Sequence, residues 1–162
     1  MENKILIIGL GNDILTDDAI GPMLIRDIKK IYNDIPADFQ TACCGGLEII
    51  EIIKGYEKVI LIDAMRTPEG IPGTVCHFTP ENFIETRNLS NLHDINFIQA
   101  LETSRLLGIG LPSEIHVIGI EIEEDRVFSE ELTDIMKLRY PGVLEETAGI
   151  VGRITGRILP GM

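Results

Sequence analysis

The sequence predicts a three-layer α/β/α fold: a doubly wound, mostly parallel twisted sheet of about five strands, with one edge strand free to run antiparallel. Three observations lead there. Short continuous apolar runs, Lys4 to Gly9 and Lys58 to Ile62, read as central parallel strands buried on both faces. Segments of helical periodicity alternate with the strands, the pattern of a layered α/β sheet. No linker, internal repeat or low-complexity tract interrupts the 162 residues, so residues 1–162 read as one domain.

Each element has its own local reason. Lys4 to Gly9 (KILIIG) is the first strand, followed by a glycine turn and two adjacent aspartates. Ile20, Met23, Leu24, Ile28 and Ile31 then recur at helical spacing. Thr16, Asp17 and Asp18 are available as N-caps for that helix. Pro22 falls near its first turn, where a missing N–H costs little. A second strand is expected at Phe39 to Cys44, and a short helix at Leu47 to Lys54 after Gly45-Gly46. The third strand, Lys58 to Ile62, is the clearest, with Asp63 capping its end. Arg66 to Gly73 (RTPEGIPG) is rich in turn formers, and Thr74 to Phe78 reads as an edge strand. His93 to Leu107 carries the helical pattern of Ile95, Ile98 and Leu101. Glu114 to Ile122 alternates and reads as the last strand. From Ser129 onward the chain is helical, with an interruption expected near Tyr140-Pro141-Gly142.

Composition narrows the partners. The formal net charge is -12, from Asp+Glu 26 against Lys+Arg 14. Such a surface repels phosphate backbones and anionic lipid. Neither nucleic acid nor a membrane is therefore expected, whereas metal ions and cationic partners are compatible; the same excess also serves plain solubility. With 44% hydrophobic residues the chain can bury a sizeable core. Cys43, Cys44 and Cys76 are odd in number and lack CxxC spacing, which argues against a disulfide framework and a zinc knuckle. No segment reaches the roughly 18 apolar residues of a membrane span. The N-terminal apolar run is too short for a signal peptide, so the reading is cytoplasmic. No long apolar surface stripe is evident, and a monomer is expected.

In sheets of this kind the binding crevice lies beyond the carboxyl ends of the strands. Asp18 follows the first strand across the glycine turn, and Asp63 ends the third. If those strands are neighbours, the two carboxylates share one crevice. His93 begins a helix after the loop NLSNLHD and is within reach of the same place. Two carboxylates and an imidazole suit a borderline divalent metal such as Ni²⁺ or Zn²⁺. They do not make a closed structural site, which usually needs four ligands. Plainer readings stand beside this one. Asp18 also fits a first-turn aspartate favoured by the helix dipole, and His93 an ordinary residue at a helix start. Asp63 is harder to explain that way, because a partly buried charge is normally paired or metal-bound. His77 and His116 read as edge or core histidines, and Cys43 and Cys44 as small core residues.

Other catalytic templates are missing. No GxSxG surrounds Ser90, Ser104, Ser113 or Ser129. There is no HExxH and no GxxxxGK[ST] loop. GLGNDI offers two glycines of a dinucleotide fingerprint, but Ile14 stands where the third belongs, and the second strand ends in Cys43-Cys44 rather than an acid.

Taken together the motifs resemble a family. GLGNDILTDDAIG, Gly9 to Gly21, is similar to the G-x-G-N-x-x-x-x-D-[ED]-x-x-G signature of the hydrogenase maturation proteases, which process the large subunit of nickel–iron hydrogenases. VILIDAM (Val59 to Met65) resembles their second block, PGTVCHF (Pro72 to Phe78) their next strand, LHDINFIQAL their histidine-led helix and IHVIGIEI their final strand. The blocks cover nearly the whole chain in order. Asp18 stands where many members have glutamate. TACCGG replaces the family's D-G-G-T-x-G apart from Gly46, and Leu92 precedes the histidine where Ser-x is common.

The resemblance implies that Asp18, Asp63 and His93 are the metal-binding positions. It also implies a peptide hydrolase that removes a short C-terminal extension from the hydrogenase large-subunit precursor once nickel is in place. Nickel would arrive with the precursor, Zn²⁺ or Cd²⁺ being able to substitute in vitro, and Asp18 and Asp63 would be the catalytic acids. Gly11 and Asn12 would shape the turn that swings Asp18 over the strand ends. Gly45 and Gly46 would open room for an extended peptide, and these four are the expected substrate-binding residues. Two alternatives remain open on sequence. One is a non-enzymatic chaperone or binding module in metalloenzyme assembly. The other is a peptidyl-tRNA hydrolase-like enzyme, which also begins with GLGN but would need Pro-Gly next, an early histidine and a basic surface.

Overall fold

The computed structural model describes residues 4–82 and 92–158. Its described strands form a five-stranded sheet in the order β2-β1-β3-β5-β4. They are β1 (Ile5–Leu10), β2 (Ala37–Ala42), β3 (Lys58–Met65), β4 (Val75–Phe78) and β5 (Glu114–Glu121). The helices are α1 (Ile20–Ile31), α2 (Leu47–Ile53), α3 (Leu92–Leu106) and α4 (Asp134–Thr155). β2, β1, β3 and β5 run parallel, and β4 closes one edge antiparallel to β5. This is the three-layer, doubly wound arrangement expected.

Strand alternation sorts the core into two faces. Ile7, Ile60, Ile62, Ile118 and Ile120 pack with Ile20, Leu24 and Ile28 of α1 and with Met136, Val143 and Val151 of α4. Leu6, Ile8, Val59, Leu61, Ile115 and Val117 pack with Ile49 and Ile53 of α2 and with Phe97 and Leu101 of α3. β1 and β3 read as unbroken apolar runs because both of their faces are covered. Truncating a side chain such as Ile62, which is 0% exposed, removes about 2–5 kcal/mol of stability.

Four expectations need correcting. β2 spans Ala37–Ala42, two residues earlier than expected. Its position follows from parallel register with β1, Ile5 opposite Ala37 through Leu10 opposite Ala42, not from its own modest hydrophobicity. Cys43 and Cys44 consequently lie past the strand, Cys43 exposed and Cys44 half-buried, so Cys43 is not a core residue. β3 continues past Asp63 to Met65, because β5 pairs with it that far. Finally, α4 runs unbroken through Pro141. A proline inside a helix costs about 3 kcal/mol. Burial of Met136 before it and of Val143, Ala148 and Val151 after it outweighs that cost.

Candidate functional site

The strand order reverses between β1 and β3. From β1 the chain crosses to β2 on one side, and from β2 it crosses back over β1 to β3 on the other. The carboxyl end of such a switch point is where a doubly wound sheet opens a crevice. β1 and β3 are direct neighbours, with Gly9 opposite Ile62 as their last pair. The neighbouring of β1 and β3 on which a common crevice for Asp18 and Asp63 would depend is therefore present. Asp63 follows Ile62 immediately, on the face of β3 that looks toward α2 and α3, and it is half-buried.

Asp18 follows β1 through a tightly specified turn. At Gly11 the chain leaves the sheet with φ near +150°, and the Gly11 N–H donates to the Ala42 carbonyl at 3.0 Å. A Cβ on Gly11 would overlap the Asp18 carbonyl oxygen, so glycine is required there. The Asn12 N–H donates to the Asp18 carboxylate at 2.9 Å, and the Asn12 side-chain oxygen accepts from the Ile14 N–H at 3.1 Å. Gly11 and Asn12 thus orient the acid. The short 3-10 turn Thr16–Ala19 carries Asp18 into α1. The N-cap of α1 is Ala19, without a side-chain bond, so none of Thr16, Asp17 and Asp18 caps that helix. Gly21 brings α1 down onto the sheet: a Cβ there would overlap the carbonyl oxygens of Leu10 and Ile62. Pro22 falls in the first turn of α1, as expected.

His93 is the second residue of α3 by its backbone; its side chain lies outside the described residues. The course of α3 is nonetheless informative. The helix ends at Leu106, a short connection before β5 starts at Glu114. Its C-terminus therefore sits at the amino ends of the strands. Fifteen residues at 1.5 Å each carry its N-terminus about 22 Å back toward the carboxyl ends. Among the described residues, no group of three or more His, Cys, Asp or Glu is placed to hold a metal ion.

Gly45 and Gly46 lie between β2 and α2, beside the turn that follows β1, and Gly46 precedes α2 with φ near +55°. Cys44 shares this border. Burial, with Glu48 and Cys43 nearby, pushes its thiol pKa up, the opposite of an activated nucleophile.

Two anchoring acids escape a sequence reading. Asp17 is fully buried. Its carboxylate accepts the N–H groups of Glu123, Glu124 and Thr133 at 3.2, 3.0 and 2.8 Å, and the Thr133 hydroxyl as well. Glu121, 4% exposed, accepts from the N–H and hydroxyl of Thr67 and so ties the β3–β4 loop to β5. The only signal for Glu121 was a charge at an inward position of an alternating strand.

A family model described as hydrogenase maturation protease (HycI) matches residues 22–150. The chain belongs to the hydrogenase maturation protease family. The match takes in Asp63 and His93, while the Gly9–Gly21 block lies ahead of it. The hydrogenase 2 maturation protease of Escherichia coli is 26% identical over 122 residues, 72% of each chain. Among solved structures, the hydrogenase maturating endopeptidase HybD from E. coli superposes with a TM-score of 0.72 at 24% identity, covering 98% of both chains. A nickel–iron hydrogenase maturation protease from Thermococcus kodakarensis gives 0.68 at 23% identity, covering 94% of this chain and 99% of its own. These superpositions agree with the fold built above from register and burial. The family assignment also removes the peptidyl-tRNA hydrolase alternative.

Proposed function

We propose that the protein is an endopeptidase that removes a C-terminal extension from the nickel-loaded large-subunit precursor of a nickel–iron hydrogenase. In this reading Asp18, Asp63 and His93 recognise the nickel that the precursor carries. Family membership supports the reaction class. The observation that supports the site is the adjacency of β1 and β3 at the switch point, β1 leading through the glycine turn toward Asp18 and β3 carrying Asp63.

The mechanism follows from an incomplete ligand set. Three protein ligands leave positions open for groups supplied by the precursor. Binding through substrate-borne nickel would hold the scissile peptide at a fixed place over the strand ends. The oxygen of Asp18 or Asp63 turned away from the metal would hold the attacking water and take its proton. A Lewis-acid metal held there would supply several kcal/mol of transition-state stabilisation. Gly45 and Gly46 line the side of the turn along which an extended tail would run. We read the protein as a cytoplasmic monomer. Among the described residues no helix is long and apolar enough to cross a membrane, and the cysteines are free thiols.

The test is to mix the protein with nickel-loaded and nickel-free precursor and to follow the precursor by mass spectrometry. The proposal expects loss of the tail from the nickel-loaded form alone. A stable complex in which the tail stays on would establish the chaperone alternative instead.

A further inference from the structure

Outside the crevice, the described histidines meet each other. His77 on β4 and His116 on β5 face one another with Nε2 of His77 2.9 Å from Nδ1 of His116 and ring centroids 5.0 Å apart. The other nitrogen of His116, Nε2, lies 2.6 Å from the Glu114 carboxylate, which also meets Lys58 at 3.3 Å. A neutral imidazole has one N–H. With Nε2 of His116 donating to Glu114, its Nδ1 bears a lone pair and accepts the Nε2–H of His77. A ring nitrogen presented with its partner nitrogen on a carboxylate is the arrangement by which proteins orient metal-binding histidines.

The pair is separate from the crevice. His116 sits opposite Ile60, three residue pairs or about 10 Å along the strand from Asp63 opposite Gly119. It projects from the other face of the sheet, the face of Ile118 and Ile120. A cleft of about 170 Å³ beside it, lined by Glu81, Arg105, Ser113, Glu114 and His116, leaves room for water.

We propose that His77 Nε2 and His116 Nδ1 form a second metal site, which takes Ni²⁺ or Cu²⁺ between the two rings. The separation selects the class. With metal–nitrogen bonds of about 2.0–2.1 Å, nitrogens 2.9 Å apart subtend about 90° at the ion. A tetrahedral ion would need about 3.4 Å at the same bond lengths. Right angles between neighbouring nitrogens belong to tetragonal and octahedral ions, Cu²⁺ and Ni²⁺, ahead of Zn²⁺. On binding, His77 moves its proton from Nε2 to Nδ1, so no net proton is released, and water fills the remaining positions. Such an ion would pin the edge strand β4 to β5.

The test measures Ni²⁺ binding by calorimetry and Cu²⁺ coordination by electron paramagnetic resonance. The variants are His77→Ala, His77→Gln and Asp63→Asn, each checked for fold by circular dichroism. Glutamine at 77 retains an N–H donor for His116 but removes the ring ligand. The proposal expects a Cu²⁺ spectrum with two coordinated nitrogens, lost in both His77 variants and kept in Asp63→Asn. It also expects Ni²⁺ affinity at this site to fall at least tenfold in the His77 variants. Unchanged Ni²⁺ binding and an unchanged Cu²⁺ spectrum in folded His77→Gln would overturn it.

Discussion

Asp17 binds Thr133, the N-cap residue of α4, 116 residues later in the chain. Its carboxylate accepts the Thr133 N–H at 2.8 Å and the Thr133 hydroxyl, at the N-terminus of α4. The negative charge also complements the helix dipole. Thr133 is the N-cap residue of α4, yet its own side chain makes no capping bond to that helix. Its hydroxyl turns to Asp17, which holds the β5–α4 loop against the turn bearing Asp18.

Asp17→Ala should therefore be far more damaging than its exposed-looking DD context implies. Three partly buried backbone N–H groups lose the acceptor that the buried Asp17 carboxylate gives them, at about 1–3 kcal/mol each. The expected loss is about 3 kcal/mol or more in chemical denaturation, with a melting point about 6–12 °C lower. A loss within about 0.5 kcal/mol would show that water replaces the carboxylate.

Gly21→Ala tests the seating of α1. The added methyl meets the Leu10 and Ile62 carbonyls, which belong to the sheet backbone and have little room to move. We expect about 1–3 kcal/mol of destabilisation. Catalytic loss should exceed what the unfolded fraction explains, because the helix that follows Asp18 must lift. Equal activity per folded molecule would mean that the position of α1 does not set the position of Asp18.

Asp63→Asn should abolish precursor processing while leaving the fold nearly intact. Asparagine keeps the shape at this half-buried site within β3 and removes the charge. Loss of about 3 kcal/mol of transition-state stabilisation corresponds to roughly a hundredfold in rate. Full processing by the variant, followed by mass, would remove the metal-docking role.

Free protein should hold metal only weakly at the crevice, since the proposed set there has three protein ligands and nickel comes with the precursor. Elemental analysis of the His77→Gln variant after desalting, which leaves the crevice alone to report, is expected to find well under one equivalent. A tight stoichiometric ion would contradict a substrate-borne nickel.

The legible parts of this molecule are those whose cause is local. β1 and β3 announce themselves by runs such as KVILI, because central strands need apolar side chains on both faces. Asp63 stands out for the same reason, as a charge immediately after the run KVILI, whereas Asp18 lies eight residues past β1 and is singled out by the glycine turn before it. β2 was displaced by two residues because its neighbour sets its register, and ADFQTA has little pattern of its own. Pro141 signalled a break that the packing of α4 overrides. The sequence offers Asp17 no role beyond that of an N-cap candidate. What separates it from Asp18 is a partner at Thr133, brought close only by the fold.

The most direct test of the central claim is anomalous diffraction from crystals soaked in Cd²⁺, with the nickel of the precursor replaced by a probe ion. The account predicts a peak at the carboxyl end of β3 with Asp18, Asp63 and His93 all coordinated to it. No peak there, or an ion that Asp18 and Asp63 do not share, would contradict it.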